Sequence, residues 1–138
     1  MLEDQLFYVG QKAIINKNGK ILILNDPILG LDLPGGKIQK DEFNLKASLK
    51  REIKEETNLD VDVGSACATW LYEVPADSGH RSAGRLVYTV AYKCKYLSGD
   101  LKLSDEHDGY IWVDKNSYTK LEHSWPAYSV IESYFTSL

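Results

Sequence analysis

Residues 34–59 read PGGKIQKDEFNLKASLKREIKEETNL, and this stretch decides the fold. A Pro-Gly-Gly turn is followed, eight or nine residues later, by a strongly helical segment. Asn44 offers an N-cap, residues 45–57 hold neither Gly nor Pro, and Asn58 tolerates the left-handed conformation that ends a helix. At 100° per residue with Glu52 set at zero, Glu55 falls at about −60° and Glu56 at about +40°. Leu45, Leu49 and Ile53 fall at about 20°, 60° and 100°, so they define the stripe that faces the core. Glu52 and Glu56 therefore lie on or beside the buried side, while Lys50 and Lys54 point away. A run such as KREIKEE is ordinarily a solvated face with i,i+4 charge pairs, but a solvated face would sit opposite the leucines. Three carboxylates crowded at a core boundary repel one another unless something positive joins them. Arg51 can neutralise or orient one of them. Mg²⁺ answers the rest, since it takes oxygen ligands, keeps several waters and binds a few carboxylates together with substrate phosphates. The Gly35-Gly36 pair is weak alone; beside such a helix it suggests backbone approaching a ligand or shaping a metal site.

Working outward, residues 6–16 and 20–24 are β-branched and aliphatic and meet across Lys17-Asn18-Gly19, the strongest short-range hairpin signal. Residues 25–44 read as a loop with a short strand near 31–33. Residues 61–74, 85–97 and 109–113 read as strands, the first two separated by a turn-rich stretch from Pro75 to Gly84. From Trp125 to Leu138, Val130, Ile131, Tyr134 and Phe135 recur at helical spacing. The order β-β-loop-α-β-β-β-α predicts a mixed α/β or α+β fold.

The chain of 138 residues predicts one domain, residues 1–138, with no repeat or linker. Sixteen Lys and Arg against 20 Asp and Glu give a net charge of −4, which argues against a basic module that tracks a nucleic-acid backbone. No apolar run approaches the roughly 18 residues of a membrane span, and the acidic start Met1-Leu2-Glu3-Asp4 is unlike a signal peptide, so no membrane partner and a cytoplasmic location are expected. Cys67 and Cys94 make neither a disulfide framework nor a zinc site and are read as small buried hydrophobes. No Ser-His-Asp or Cys-His order suggests a covalent nucleophile.

Gly36, Glu42, Arg51, Glu52, Ile53, Glu55, Glu56 and Leu59 resemble the signature of the Nudix hydrolase family, G-x5-E-x7-R-E-U-x-E-E-x-G-U with U apolar, at eight of nine fixed positions. Two departures stand out: eight residues rather than seven separate Glu42 from Arg51, most simply through an extra Phe43, and Asn58 replaces the motif glycine. The extra residue leaves open whether Glu42 pairs with Arg51. The resemblance extends to Leu31-Asp32-Leu33-Pro34-Gly35-Gly36, to Glu106-His107…Trp112-Val113, and to the opening hairpin and closing helix.

The resemblance implies a mixed β-sheet between helices, an α/β/α sandwich. It implies hydrolysis of a pyrophosphate bond in a nucleoside diphosphate linked to another group. Glu52, Glu55, Glu56 and the main-chain carbonyl of Gly36 would hold Mg²⁺, with Mn²⁺ as a substitute, and Arg51 would orient a glutamate. The general base is open between Glu55, Glu56 and Glu106. Arg81 and Arg85 are candidates for holding phosphate, with His80 beside them. Tyr72, Tyr88, Trp112 and Tyr128 could stack on a base but are read first as core; His107 and His123 are placed at the surface or behind the ligands. The expected partner is a small-molecule nucleotide, with a homodimer possible. The alternatives are an RNA 5′-end pyrophosphohydrolase and a nucleotide-binding protein of the same fold that does not cleave.

Overall fold

The computed structural model describes all residues from Met1 to Leu138. Strands β1 (Tyr8–Lys17) and β2 (Lys20–Asp26) form the expected hairpin. Its two-residue turn has both Asn18 and Gly19 at positive φ, 54° and 81°, the conformation Asn-Gly takes at little steric cost. Two short strands follow, β3 (Gly30–Asp32) and β4 (Gly35–Lys37), then helix α1 (Leu45–Thr57). The long strands β5 (Asp60–Glu73) and β6 (Leu86–Ser98), then β7 (Gly109–Val113), a 3₁₀ turn (Tyr118–Lys120) and helix α2 (Tyr128–Thr136) complete the chain.

All seven strands join one mixed sheet of order β3-β2-β1-β6-β5, with β4 paired to β1 and β7 to β2. β1 runs parallel to β6 from Tyr8 opposite Val87 to Asn16 opposite Lys95, and its other edge is shared. β4 pairs along Gly10–Lys12, and β2 pairs at Asn16 and Lys17. Because β1 and β2 are covered on both faces, their apolar runs are continuous rather than alternating. Ile14, Ile21, Ile23 and Val113 face α2 with Ile131 and Phe135; Ala13, Ile15, Leu22 and Leu24 face α1 with Leu49 and Ile53. The result is an α/β/α sandwich with a core on each side of the sheet. No helix is long and apolar enough to cross a membrane.

Helix α1 begins and ends where its caps dictate. Asn44 Oδ1 accepts the Ala47 N–H at 3.1 Å, and Asn58 sits at φ 63° with its own N–H donated to the Lys54 carbonyl. Asn44→Ala is expected to cost about 1 kcal/mol, read as a lowered urea midpoint with an unchanged slope. Two expectations are corrected. Leu45 is 42% exposed rather than in the core stripe, and its first-turn neighbours Lys46 and Ala47 are exposed too; burial on α1 begins at Ser48 and Leu49. Cys67 is exposed on β5, the edge strand of the main order, whereas Cys94 on the interior strand β6 is buried as expected.

Candidate active site

The Pro34-Gly35-Gly36 turn is held against β1, where the Ala13 N–H donates to the Pro34 carbonyl at 2.8 Å. Gly35 has φ 141°, and a Cβ there would lie 2.0 Å from the Gln11 carbonyl oxygen, so only glycine fits. This approach places the Gly35 N–H 2.8 Å from Glu56 Oε1, to which it donates. Gly36 is packed as closely on the other motif glutamate: a Cβ would lie 2.8 Å from the Glu52 carboxyl carbon. Two glutamates of α1 thus close directly over the glycine backbone, Glu56 buried and Glu52 half-buried.

Arg51 anchors the outer rim. Its Nη2 donates to Glu42 Oε2 at 2.8 Å and to Glu52 Oε1 at 3.2 Å, while Nη1 donates to both oxygens of Glu55, at 3.0 and 3.1 Å. Glu42 therefore does pair with Arg51 despite the extra residue. Asp41 takes φ 68° and Phe43 is 86% exposed, so the insertion is absorbed in a solvent-facing turn. The Arg51 hydrogen bond, with the Gln39 N–H, holds the Glu42 carboxyl below its usual range. Glu55 is the most exposed of the three α1 carboxylates and points to this arginine rather than into the cleft.

The cleft has a volume of about 520 Å³. Glu52, Glu56 and Glu106 contribute carboxylates, and Lys12, Lys37, Arg81 and Arg85 contribute cations. Lys37 Nζ donates to Ser82 Oγ at 2.8 Å, and Arg81 Nη2 lies 3.4 Å from Glu106 Oε2. Burial pushes the Lys37 pKa down, and Arg81 and Arg85 push it further, as expected of cations converging on a place for an anion. The Arg85 guanidinium also sits 4.6 Å from the centre of the Tyr8 ring. Trp70, Tyr72 and Trp125 also line the cleft. Tyr72 thus borders the cleft rather than the core, Tyr128 is core as expected, Trp112 packs on the α1 side, and Tyr88 is exposed outside the cleft. His123 is exposed, with Nε2 2.8 Å from the Thr119 carbonyl.

Of the two places sequence reading allowed His107, the surface or behind the ligands, the structure gives the second: it is buried, in a polar chain behind Glu56 with Lys12 and Asp32, two partners the sequence did not reveal. Lys12 Nζ lies 3.0 Å from Asp32 Oδ1, and His107 Nε2 lies 3.0 Å from Asp32 Oδ2. Burial opposes the charge on Lys12 and on Asp32, and their mutual attraction outweighs it, so the Lys12 pKa is raised and the Asp32 pKa lowered. Burial also dominates at Glu56, where Lys12 and the Gly35 N–H only partly offset it; its pKa is raised to about 7. His107 is shifted up: burial works against its charge, and the Asp32 carboxylate overcomes it. Glu52 is likewise raised by burial.

These shifts set a pH dependence. A carboxyl whose folded pKa is raised binds protons more readily in the native state. The stability it confers is full below the unfolded value and lost as pH rises through about 7. His107, raised by its partner, loses stabilisation in the same direction, while the lowered Asp32 acts only at acid pH. In EDTA, unfolding free energy is therefore expected to fall by about 1–3 kcal/mol from pH 5 to pH 8. Urea titrations at the two pH values check this, and a rise would contradict it.

The cleft sets carboxylates over a glycine turn beside a group of cations, an arrangement whose donors suit a divalent ion and whose cations suit an anionic ligand. Residues 11–134 match the family described as NUDIX domain, and the chain belongs to the Nudix hydrolase family, the class of pyrophosphate-cleaving hydrolases. Among solved structures, the MutT protein of Methanosarcina mazei Go1 is similar at 28% identity and TM-score 0.75, covering 99% of this chain and 95% of that one. A C. elegans Ap4A hydrolase in a binary complex shares the fold at 19% identity and TM-score 0.73, over 94% of this chain and 96% of that one. An ADP-ribose pyrophosphatase of Streptococcus suis 89-1591 does so at 23% identity and TM-score 0.60, over 80% and 75%. Comparison with curated proteins gives no match. The donors present fit a divalent ion: the carboxylates crowd a backbone that a single Cβ would push away, and an acidic and histidine cluster, Glu56, Glu106 and His107, has ligand atoms within 4.8 Å of one another.

Proposed function

We propose that the protein hydrolyses a pyrophosphate bond in a nucleoside diphosphate derivative with Mg²⁺ as cofactor. The observation that carries this reading is the closure of Glu52 and Glu56 over the Gly35-Gly36 backbone, in one cleft with four cations. Glu52, Glu56 and the Gly36 carbonyl hold the ion. When bound, Mg²⁺ neutralises charge on the phosphate oxygens and lowers the pKa of an attacking water. Arg51 fixes the Glu52 carboxylate from outside the cleft, through Nη2 at 3.2 Å, and does not touch substrate. Glu55, held by the same guanidinium, completes that bracing. Lys37, Arg81 and Arg85 hold the phosphates, and Glu52, Glu56 and Glu106 are the cleft carboxylates able to take the proton of the water. Trp70, Tyr72 and Trp125 offer flat apolar surface for a nucleoside.

A panel of nucleoside triphosphates, dinucleoside polyphosphates and nucleotide sugars, with Mg²⁺ or Mn²⁺ and chromatographic resolution of products, tests the reading. Metal-dependent cleavage within the phosphate chain is expected, and its absence across the panel would refute the proposal. Arg81→Ala is expected to raise KM about tenfold or more with a smaller change in kcat, the mark of a group that binds ground and transition states alike.

A further inference from the structure

His107 has no part in the function proposed above, and one of its ring nitrogens is left without a partner. Its side chain is 3% exposed, and its Nε2 faces the Asp32 carboxylate. Asp32 is itself held ionised by Lys12, so it accepts and Nε2 carries the proton. In the neutral ring that leaves Nδ1 as the atom with a lone pair to give a metal ion, and in the metal-free protein it is buried without any hydrogen-bond partner. A buried polar atom with no partner calls for an explanation. Nδ1 points at Glu56 Oε2 across 3.8 Å, beyond hydrogen-bond reach.

The loop carrying His107 is strapped to the end of α1. The Lys102 N–H donates to the Thr57 carbonyl at 3.0 Å and the Ser104 N–H to the Glu56 carbonyl at 3.1 Å. The Asp108 N–H donates to the Asn25 carbonyl on β2 at 3.1 Å. The nitrogen and two carboxylates are thereby gathered by several independent main-chain bonds. Glu106, His107 and Glu56 offer ligand atoms that all lie within 4.8 Å of one another. Ligands at about 2 Å from a common ion stand about 3–4 Å apart, as His107 Nδ1 and Glu56 Oε2 do at 3.8 Å, and the exposed Glu106 side chain is free to close the rest.

We propose that Glu56, Glu106 and His107 Nδ1 form a mixed nitrogen–oxygen cation position that takes a transition ion such as Mn²⁺ in preference to Mg²⁺. It shares Glu56 with the carboxylates that close on Gly36, and it rests on the proposed function for what the ion serves. Imidazole nitrogen suits first-row transition ions, whereas Mg²⁺ is satisfied by oxygen and water. Asp32 plays the part of the carboxylate that receives the other ring N–H of a ligating histidine and fixes its tautomer. Lys12 in turn keeps Asp32 charged. Two carboxylates and a neutral imidazole balance a divalent charge.

Pulsed electron paramagnetic resonance of the chelator-treated full chain reloaded with Mn²⁺ tests this directly. The expected spectrum shows coupling to one imidazole nitrogen, kept in His123→Gln and lost in His107→Gln. Glu106 is exposed, so Glu106→Gln leaves the fold unthreatened and is expected to weaken Mn²⁺ binding about tenfold or more, with Mg²⁺ binding much less affected. Bound Mn²⁺ without nitrogen coupling would overturn the inference, as would coupling that survives His107→Gln or Mn²⁺ affinity unchanged in Glu106→Gln. A His107 protonated on both nitrogens gives the first of these results. Mg²⁺-dependent cleavage of the substrate panel, run on the same preparation, separates the two readings: if it persists, only the transition-ion position is lost.

Discussion

Glu56→Gln is expected to lower turnover by about a thousand-fold or more, while the metal-free protein at pH 8 becomes at least as stable as the unsubstituted one. The two effects have one cause. Glu56 is 4% exposed, and burial pushes its pKa to about 7, so at pH 8 the folded protein keeps a charge that burial disfavours. A glutamine oxygen can still accept the Gly35 N–H that now donates to Oε1 at 2.8 Å. The amide removes the charge without removing the shape, and with it the oxygen that would ligate the ion. Lys12 and His107 lose one of the anions around them but keep Asp32, at 3.0 Å from each. Steady-state rates and urea midpoints at pH 8, with and without Mg²⁺, measure both halves. Turnover near that of the unsubstituted protein would remove Glu56 from the site. A large loss of stability in EDTA would mean that its charge supports the fold rather than the ion.

Much of this was legible because it is local. The Asn18-Gly19 turn, the Asn44 and Asn58 caps and the span Leu45–Thr57 each follow from the conformational preferences of a few adjacent residues. The arc of Glu52 and Glu56 beside Leu49 and Ile53 follows from the pitch of a helix. Lys12, Asp32 and His107 were not legible in that way. They come from β1, β3 and the loop before β7, and what joins them is long-range pairing. β4 lies against Gly10–Lys12, and β2 pairs with both β3 and β7. A lone lysine in an apolar strand gives no sign that a carboxylate waits 20 residues on. Trp70 and Trp125 escaped for the same reason: they lie 55 residues apart, and only the packing of β5 and the approach to α2 on the same core brings both to the cleft. The Glu42–Arg51 pair was undecidable from spacing, since a left-handed residue at Asp41 absorbs one position without moving either side chain's target.

The two glycines of the turn should fail in different ways when each is replaced by alanine. At Gly35 the added Cβ would fall 2.0 Å from the Gln11 carbonyl oxygen and 3.0 Å from the Lys12 Cα, both backbone atoms of an interior strand, at a φ of 141°. Neither neighbour can rotate away. The turn must leave β1, breaking the Ala13 N–H bond to the Pro34 carbonyl and the Gly35 bond to Glu56. A loss of about 3–5 kcal/mol is expected, from backbone strain together with buried donors and acceptors left unpaired. At Gly36 the obstacle is the end of a side chain, Glu52 Cδ and Oε2 at 2.8 Å, and the residue has an ordinary φ. Glu52 can swing outward along Arg51, so Gly36→Ala should cost about 1 kcal/mol or less of stability. It should nevertheless reduce divalent-ion affinity by about tenfold or more, because the carboxylate leaves the backbone carbonyl beside which it would ligate. Urea unfolding in EDTA beside calorimetric titration with Mg²⁺ separates the outcomes. Equal stability losses at the two positions would mean that Glu52 is as rigid as the strand behind Gly35, and undiminished Mg²⁺ affinity in Gly36→Ala would place the ion elsewhere in the cleft.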